Sequence, residues 1–379
     1  MVLSFGARNV FSFKEGFEVN LMLDKNCPSE ISHDKSFATV MALKGANASG
    51  KTSVLKTLNL IFELGLDSFS YNPSHIIPFT SYFRNEESSD LFIIFTDTQD
   101  TFKYEIELTN QKIITESIYK NNILVIERKD NEFTHIDDEY NDIGIIKLKD
   151  KASLISTAKQ YEINSIVQIC DILIRRISNV GVLGLRDELI NYKAVSKVYH
   201  EDEESFNFAK YIIVNSDTGI SDIIIKEREN IETNEKEYIP FFEYNINGEK
   251  KFLAYIDQSS GVKSLYKQLS SYQLVLASGG ILILDEFDIN LHPDLLPLLL
   301  DLFDNPEKNI HDAQLIFTTH NTEIMEKLKK YRTVLVNKED NESFLYRMDE
   351  LNGEVLRNDR PLTPIYNSGR IGGKPKPTL

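Results

Sequence analysis

The sequence predicts an α/β fold, and three observations carry that prediction. An apolar run at residues 38–43 leads into Gly45-Ala46-Asn47-Ala48-Ser49-Gly50-Lys51-Thr52, followed at 53–64 by Val54, Leu55, Leu58, Ile61 and Phe62 on one helical face. Two more short apolar runs, 281–284 and 314–317, stop at polar residues, as buried strands of a covered sheet do. Between them lie a stretch with the two-residue period of strands and a stretch with the period of helices.

Taken in order, residues 91–96, 102–108, 112–119 and 123–128 are rich in aromatic and β-branched side chains separated by Asn, Asp or Lys turns. They predict an antiparallel sheet beside the glycine-rich loop. From about 152 to 210 the pattern becomes helical, with Ile163, Ile166, Val167, Cys170 and Ile174 on one apolar face. Glu201 to Glu204 marks a loop or helix start, and no heptad runs through the segment, so no long coiled-coil arm is expected. Residues 238–244 and 251–256 form a hairpin around Asn247-Gly248. The Gly- and Pro-rich tail from Pro361 is expected to lack regular structure. The expected organisation is an N-terminal lobe at 1–150, a mainly helical insertion at 151–237 and a C-terminal lobe at 238–379.

A chain of 379 residues, 41% of them hydrophobic, is long enough for two or three domains. No apolar run reaches 18 residues and the first residues lack a secretory pattern, so the expected location is the cytoplasm, without membrane contact. Cys27 and Cys170 are the only cysteines, too few for a disulfide framework. A formal charge of −16 argues against broad nucleic-acid binding, which needs clustered Lys and Arg. Arg175-Arg176, Lys329-Lys330 and the tail residues Arg357, Arg360, Arg370, Lys374 and Lys376 are the candidates for a local basic groove.

The run from Gly45 to Thr52 fits G-x-x-x-x-G-K-[ST], a cradle for a nucleoside triphosphate. Its glycines, Gly45 and Gly50, let backbone N–H groups close on phosphate oxygens, with Asn47 and Ser53 at its edges. Lys51 adds a point charge, and the Thr52 hydroxyl suits Mg²⁺. The strand 281–284 ends in Asp285-Glu286, which places Asp285 to hold the metal and Glu286 to orient or deprotonate the attacking water. The strand 314–317 ends in Thr318-Thr319-His320-Asn321, and His320 is placed to bond the γ-phosphate. Asp257-Gln258-Ser259-Ser260-Gly261 opens a helix with a hydroxyl and a glycine spaced to meet phosphate. Arg8 and Asn9 lie where they either reach the base or ribose or form a surface turn.

In this order the motifs resemble those of ABC-type ATPase heads of the SMC, RecF and OLD-like group. GANASGKT resembles their Walker A, QSSGV a degenerate signature motif, ILILDE their Walker B, FDINLHP the D-loop and TTHN the switch-histidine strand. The opening stretch 5–13 and the closing YNSGRIGG look most like stand-alone AAA15-type ATPases of bacterial anti-phage operons. The resemblance implies an ABC-type head with a mixed sheet, an antiparallel β subdomain and a mainly helical insertion. It also implies ATP and Mg²⁺ as cofactors, and a homodimer in which Ser259 and Gly261 of one copy face the phosphates held by Lys51 of the other. The chain departs from the pattern in two places: the signature has Gln258 and Ser260 where an apolar residue and a glycine are usual, and no Q-loop glutamine stands out, Gln99 and Gln111 both falling in turns.

The function expected is a nucleotide-gated sensor or clamp in phage defence, working with a separate effector, a nuclease or toxin. The stretch after His320 is too short for the TOPRIM domain of OLD-type nucleases. A RecF-like DNA-repair clamp is the alternative, an ABC transporter subunit a weaker one, and a non-hydrolysing nucleotide-binding scaffold the fallback.

Overall fold

The computed structural model describes residues 1–72, 74, 76–181, 184–185, 191–229, 235–351, 356–358 and 360–374. Lys376, one of the tail cations considered for a basic groove, lies outside them. The chain starts with β1 (Val2–Arg8), β2 (Phe17–Asn20), a one-turn α1 (Ser29–Ser32), β3 (Val40–Gly45) and α2 (Lys51–Asp67). A meander follows: β4 (Ser89–Thr96), β5 (Thr101–Leu108), β6 (Ile113–Lys120), β7 (Ile123–Lys129) and β8 (Glu132–Ile136). The middle holds α3 (Leu154–Gln160), α4 (Val167–Ile174), β9 (Arg176–Ser178), the short pair β10 (Val180–Gly181) and β11 (Gly184–Leu185), α5 (Tyr192–Glu201) and α6 (Glu203–Val214). Then come β12 (Asp222–Glu229), β13 (Lys236–Ile246), β14 (Glu249–Ala254), α7 (Ser260–Ser278) and β15 (Ile281–Leu284). The last elements are α8 (Leu296–Asp304), β16 (Gln314–Thr319), α9 (Thr322–Leu328), β17 (Thr333–Glu339), β18 (Glu342–Arg347) and α10 (Thr363–Asn367).

These elements give the expected α/β class. One sheet is antiparallel, ordered β2-β1-β4-β5-β6-β7-β8. The other is mixed, ordered β18-β17-β3-β16-β15-β9, with β17, β3, β16, β15 and β9 parallel and β18 antiparallel at the edge. A third, three-stranded sheet holds β12-β13-β14, and the hairpin between β13 and β14 turns at Asn247 and Gly248, both at positive φ.

Side chains alternate across the mixed sheet and so divide its apolar residues between two cores. Met41 and Leu43 face α2 and the antiparallel sheet, and Val40 and Ala42 face α7, α8 and the three-stranded sheet. Helix α2 is therefore packed between the two large sheets, which fixes the direction in which its N-terminus points. Inside the antiparallel sheet Glu116 and Arg128 form a fully buried pair at 2.9 Å. Glu116 also accepts from the Leu154 amide, which ties the sheet to α3.

Three readings of the middle and end of the chain need correction. Residues 163–174 are not one helix, because Asn164–Ile166 is a 3-10 turn that shifts the phase before α4 begins. The buried face is therefore Ile166, Ile169, Cys170 and Leu173, while Val167 and Ile174 are about half exposed. Residues Arg176–Ser178, inside the stretch given helical period, form the edge strand beside β15. Residues 361–374 of the tail are structured: they contain α10 and pack through Leu362, Tyr366 and Ile371 on Met325 and Leu335. As expected, Asp202 caps α6, accepting from the amides of Glu204 and Ser205.

Candidate nucleotide site

The loop between β3 and α2 turns back on itself through positive φ at Ala48 and Gly50. Gly50 has φ 112°, and a Cβ there would come within 2.8 Å of Ser343 Oγ and 2.9 Å of Ser12 Oγ, so only glycine fits without strain. Helix α2 has no side-chain cap at this end, which leaves its first amides facing the loop. Lys51 is buried, and its Nζ donates to the carbonyls of Gly45 at 3.0 Å and Ala46 at 2.9 Å. Burial lowers its pKa, opposed by the charges of Asp285, Glu286 and Asp288. Asn47 is exposed on the outer wall of the loop, and the Ser53 carbonyl accepts from Thr57 Oγ1 inside the helix.

Parallel pairing brings the ends of β3, β16 and β15 to one edge of the sheet, where ligand crevices of α/β folds lie. Asp285, 5% exposed, is held there from three elements. Its Oδ2 accepts from Thr52 Oγ1 at 2.8 Å and its Oδ1 from Thr318 Oγ1 at 2.6 Å. Its backbone is clamped by the Asn179 side chain, which accepts from the Asp285 amide at 2.7 Å and donates to the Asp285 carbonyl at 3.0 Å. Glu286 has φ 52°, its amide donates to Thr318 Oγ1 at 2.8 Å, and its side chain is exposed. A positive φ on a non-glycine residue turns this carboxylate away from the strand direction.

The loop after β16 carries His320, whose amide donates to Asp288 at 3.4 Å and whose carbonyl accepts from Lys44 Nζ at 2.7 Å. Burial first, then the nearby Lys51, holds the imidazole pKa below its ordinary value, so the ring is neutral at pH 7. Lys51, Thr52, Asp285, Glu286 and His320 are thus gathered at one edge.

Ser259 and Gly261 sit at the start of α7. Ser259 caps the helix, its Oγ accepting from the Val262 amide at 3.3 Å, and is exposed. Gly261 packs beside the Asn290 carbonyl. Among the described residues no hydrogen bond joins Ser259 or Gly261 to Lys51, Thr52 or Asp285. A cleft of about 490 Å³ lies between α7 and the end of β15, with Asn179, Lys263, Lys267, Asp285 and Glu286 on its walls.

Arg8 and Asn9 open a turn, the Asn9 amide donating to the Lys14 carbonyl. Arg8 is paired with Asp90 at 2.6 Å, and Asn9 is fully buried, bonded to Asn85 and to the carbonyls of Glu87 and Ser88. Of the basic-groove candidates, Arg176 is paired with Asp67 and Lys329 with Glu326. Sequence reasoning missed Asn179 and Lys44. The first follows a strand too short to show a period, and the second sits between an apolar run and the phosphate loop, where a lysine carries no motif.

The family described as "AAA domain, putative AbiEii toxin, Type IV TA system" matches residues 40–326. No curated protein matches the chain. Among solved structures, the chain is similar to the SMC head domain from Thermotoga maritima, with 13% identity, 91% of this chain and 98% of that one covered, and a TM-score of 0.46. It is also similar to the Smc head domain with an extended coiled coil bound to the C-terminal domain of ScpA from Pyrococcus furiosus, with 11% identity, 97% and 99% covered, and a TM-score of 0.49. Among the described residues no helix is long and apolar enough to cross a membrane.

Proposed function

Because the chain belongs to the AAA-domain family that matches residues 40–326, we propose that it is an ABC-type ATPase that binds and hydrolyses ATP. It works as a nucleotide-gated sensor or clamp in the cytoplasm, in anti-phage defence, with a separate effector protein. The observation that supports this most is the convergence of the phosphate-loop hydroxyl of Thr52 and the strand-end carboxylate of Asp285 at 2.8 Å, beside Lys51.

The residues fit a nucleotide with Mg²⁺. A hydroxyl and a carboxylate already in contact form an oxygen-donor pair of the kind that cation takes, and Thr52 and Asp285 would hold it. Bound there, Mg²⁺ neutralises charge on the phosphates. Lys51 exchanges its two carbonyl partners for phosphate oxygens, and the free amides of the loop and of the α2 N-terminus bind the rest. Glu286, exposed and turned out of the strand, orients and deprotonates the attacking water. His320, neutral, donates from one ring nitrogen to the γ-phosphate while its other nitrogen accepts. Asn179 and Thr318 keep Asp285 in place and touch no substrate themselves.

Ser259 and Gly261 complete the site from a second copy, so turnover needs a homodimer. The role in defence rests on the likeness of the two ends of the chain to defence ATPases, and the family's description adds only "putative AbiEii toxin, Type IV TA system".

The test is ATP turnover by the purified chain with and without linear double-stranded DNA, with Glu286→Gln as control. Turnover that DNA leaves unchanged and that Glu286→Gln removes is expected. Strong stimulation by DNA would replace the sensor with a DNA-engaging clamp, and no nucleotide binding at all would end the proposal.

A further inference from the structure

Lys44 is the next-to-last residue of β3, just before Gly45 opens the phosphate loop, and is 1% exposed. Strand alternation turns it to the same side as Val40 and Ala42, where an apolar side chain would be expected. Its ammonium has no carboxylate within ion-pair distance among the described residues. It donates to the His320 carbonyl at 2.7 Å, and it lies 4.9 Å from the centre of the Tyr366 ring. Burial lowers its pKa to about 8, and the charge of Asp288 offsets only part of that. A buried cation is costly and an apolar residue would fill the same space. Both of its neighbours are informative: one is the loop that carries the switch histidine, and the other belongs to the segment after β18.

That segment is a strap fixed at both ends. At its start the Thr363 amide donates to Glu326 Oε1 on α9 at 2.6 Å, and Leu362 and Tyr366 pack on Met325 of the same helix. Helix α9 begins at its cap Asn321, the residue after His320. At the far end Tyr366 donates to the Gly373 carbonyl at 2.9 Å, Tyr346 donates to the Ile371 carbonyl at 2.6 Å, and Asn337 accepts from the Gly373 amide at 2.6 Å. Gly372 has φ 73°, and a Cβ on it would come within 2.4 Å of Tyr346 Oη and 2.5 Å of Asn337 Oδ1. This close approach brings Gly369, Gly372 and Gly373 opposite Ala46, Asn47, Ala48 and Ser49 across a cavity of about 630 Å³. The strap therefore meets the switch loop through Lys44 and α9, and it faces the outer wall of the phosphate loop.

We propose that the strap, residues 362–374, is the output element of the nucleotide site, with Lys44 as the positioning residue that links its movement to the switch loop. This rests on the nucleotide-binding reading above. When His320 engages a γ-phosphate, its carbonyl shifts with the ring. Lys44 follows that carbonyl, and the Tyr366 ring over the ammonium shifts with it, so the exposed side of the strap differs between the two nucleotide states. A two-state element biased by contacts at one site is what such transmission requires.

Hydrogen exchange tests this on the full chain. In Glu286→Gln with Mg²⁺ and ATP, exchange of amides in 362–374 is expected to change severalfold relative to the nucleotide-free protein, together with protection of 46–53. In Glu286→Gln/Lys44→Met the loop should still be protected by ATP while the strap response is lost. Tyr366→Leu, which keeps apolar packing on Met325 and Leu335 but removes the ring together with its hydrogen bond to the Gly373 carbonyl, is a second variant with the same expectation should Lys44→Met fail to fold. A strap indifferent to ATP while 46–53 is protected overturns the inference and leaves the nucleotide site standing, as does an intact strap response in either variant. ATP that protects neither region, matching a Lys51→Ala control, removes the nucleotide-site reading and the inference with it.

Discussion

At the Walker edge, side chains from α2, β16 and the residue after β9 all converge on Asp285, whereas at the start of α7 Ser259 bonds only within its own turn. The first half of the site is held by its own side chains: Lys51 lies in the loop, Thr52 touches the carboxylate, and the main chain of Asp285 is held on both sides. The second half is a cap whose Ser259 is exposed and, among the described residues, bonds only to its own helix. The difference teaches that, among the described residues, the phosphate-loop half is fixed by contacts across the fold and the α7 half only by its own turn. On the proposed reading the first serves phosphates within one copy and the second those of another. Binding and turnover should therefore separate by mutation. Each variant below breaks one half or sharpens the boundary between them.

The largest effect is expected from Lys51→Ala. The buried ammonium is the one cation that the loop carbonyls hold in the cradle, and its loss should abolish ATP binding in a fluorescent-nucleotide titration. Normal affinity in this variant would remove the phosphate-loop assignment. Next comes Ser259→Arg, which should leave binding near normal and block turnover, since it alters only the exposed cap. Mixing the two inactive proteins sharpens the comparison. If each site takes its Walker half from one copy and its cap from the other, a mixed dimer contains one site with both lesions and one intact site. Turnover should therefore reappear on mixing, toward the statistical share of mixed dimers. Two inactive proteins that stay inactive together would mean that each copy builds its site alone.

Much of the first half was legible in the sequence, and the reason is local. A phosphate loop is specified by contiguous residues, because its glycines, lysine and threonine act within one turn of backbone, and the flanking strand and helix show their own periods. The acidic pair at 285–286 and the histidine at 320 were legible as strand ends for the same cause. Asn179 and Lys44 were not, because their partners lie far away in sequence and the pairing exists only once β9 docks on β15 and the strap docks on β3. A three-residue strand gives too few residues for any period, so Arg176–Ser178 took on the helical pattern of its neighbours. The tail was misjudged because Gly and Pro, which usually mark irregular chain, here allow a close approach to Asn337 and Tyr346 that orders it. Of the two readings of Arg8 and Asn9, the turn is present, Asn9 opening it with its amide on the Lys14 carbonyl while Asp90 and the 85–88 loop take the side chains.

Asn179→Ala is expected to act next in size. The side chain prolongs the pairing of β9 with β15 by one residue, satisfying both main-chain groups of Asp285. Leaving two buried backbone groups unpaired costs roughly 2–6 kcal/mol, at about 1–3 kcal/mol for each orphaned group. Thermal unfolding should show that loss, and kcat should fall more than KM rises, because the carboxylate is displaced and the loop that binds phosphate is untouched. A variant as stable and active as the parent would mean that Asp285 is held well enough by Thr52 and Thr318 alone.

The smallest effect concerns Lys44 and pH. Its folded pKa, about 8 against an ordinary 10.5, means that the unfolded chain binds more protons than the folded one between those values. Stability conferred at this residue is therefore lowest below pH 8 and rises as pH climbs toward 10.5. Lys44→Met removes the titrating group but leaves the His320 carbonyl without its donor, so the two costs partly cancel near neutrality. The readout is the difference in unfolding free energy between Lys44→Met and the parent at pH 7.5 and at pH 9.5. The parent should gain roughly 2 kcal/mol relative to the variant over that range, at the 1.36 kcal/mol that each pKa unit carries. A difference independent of pH would mean that the ammonium is solvated in the folded chain, and the contact with the His320 carbonyl would then lose its weight as a link between the nucleotide edge and the strap.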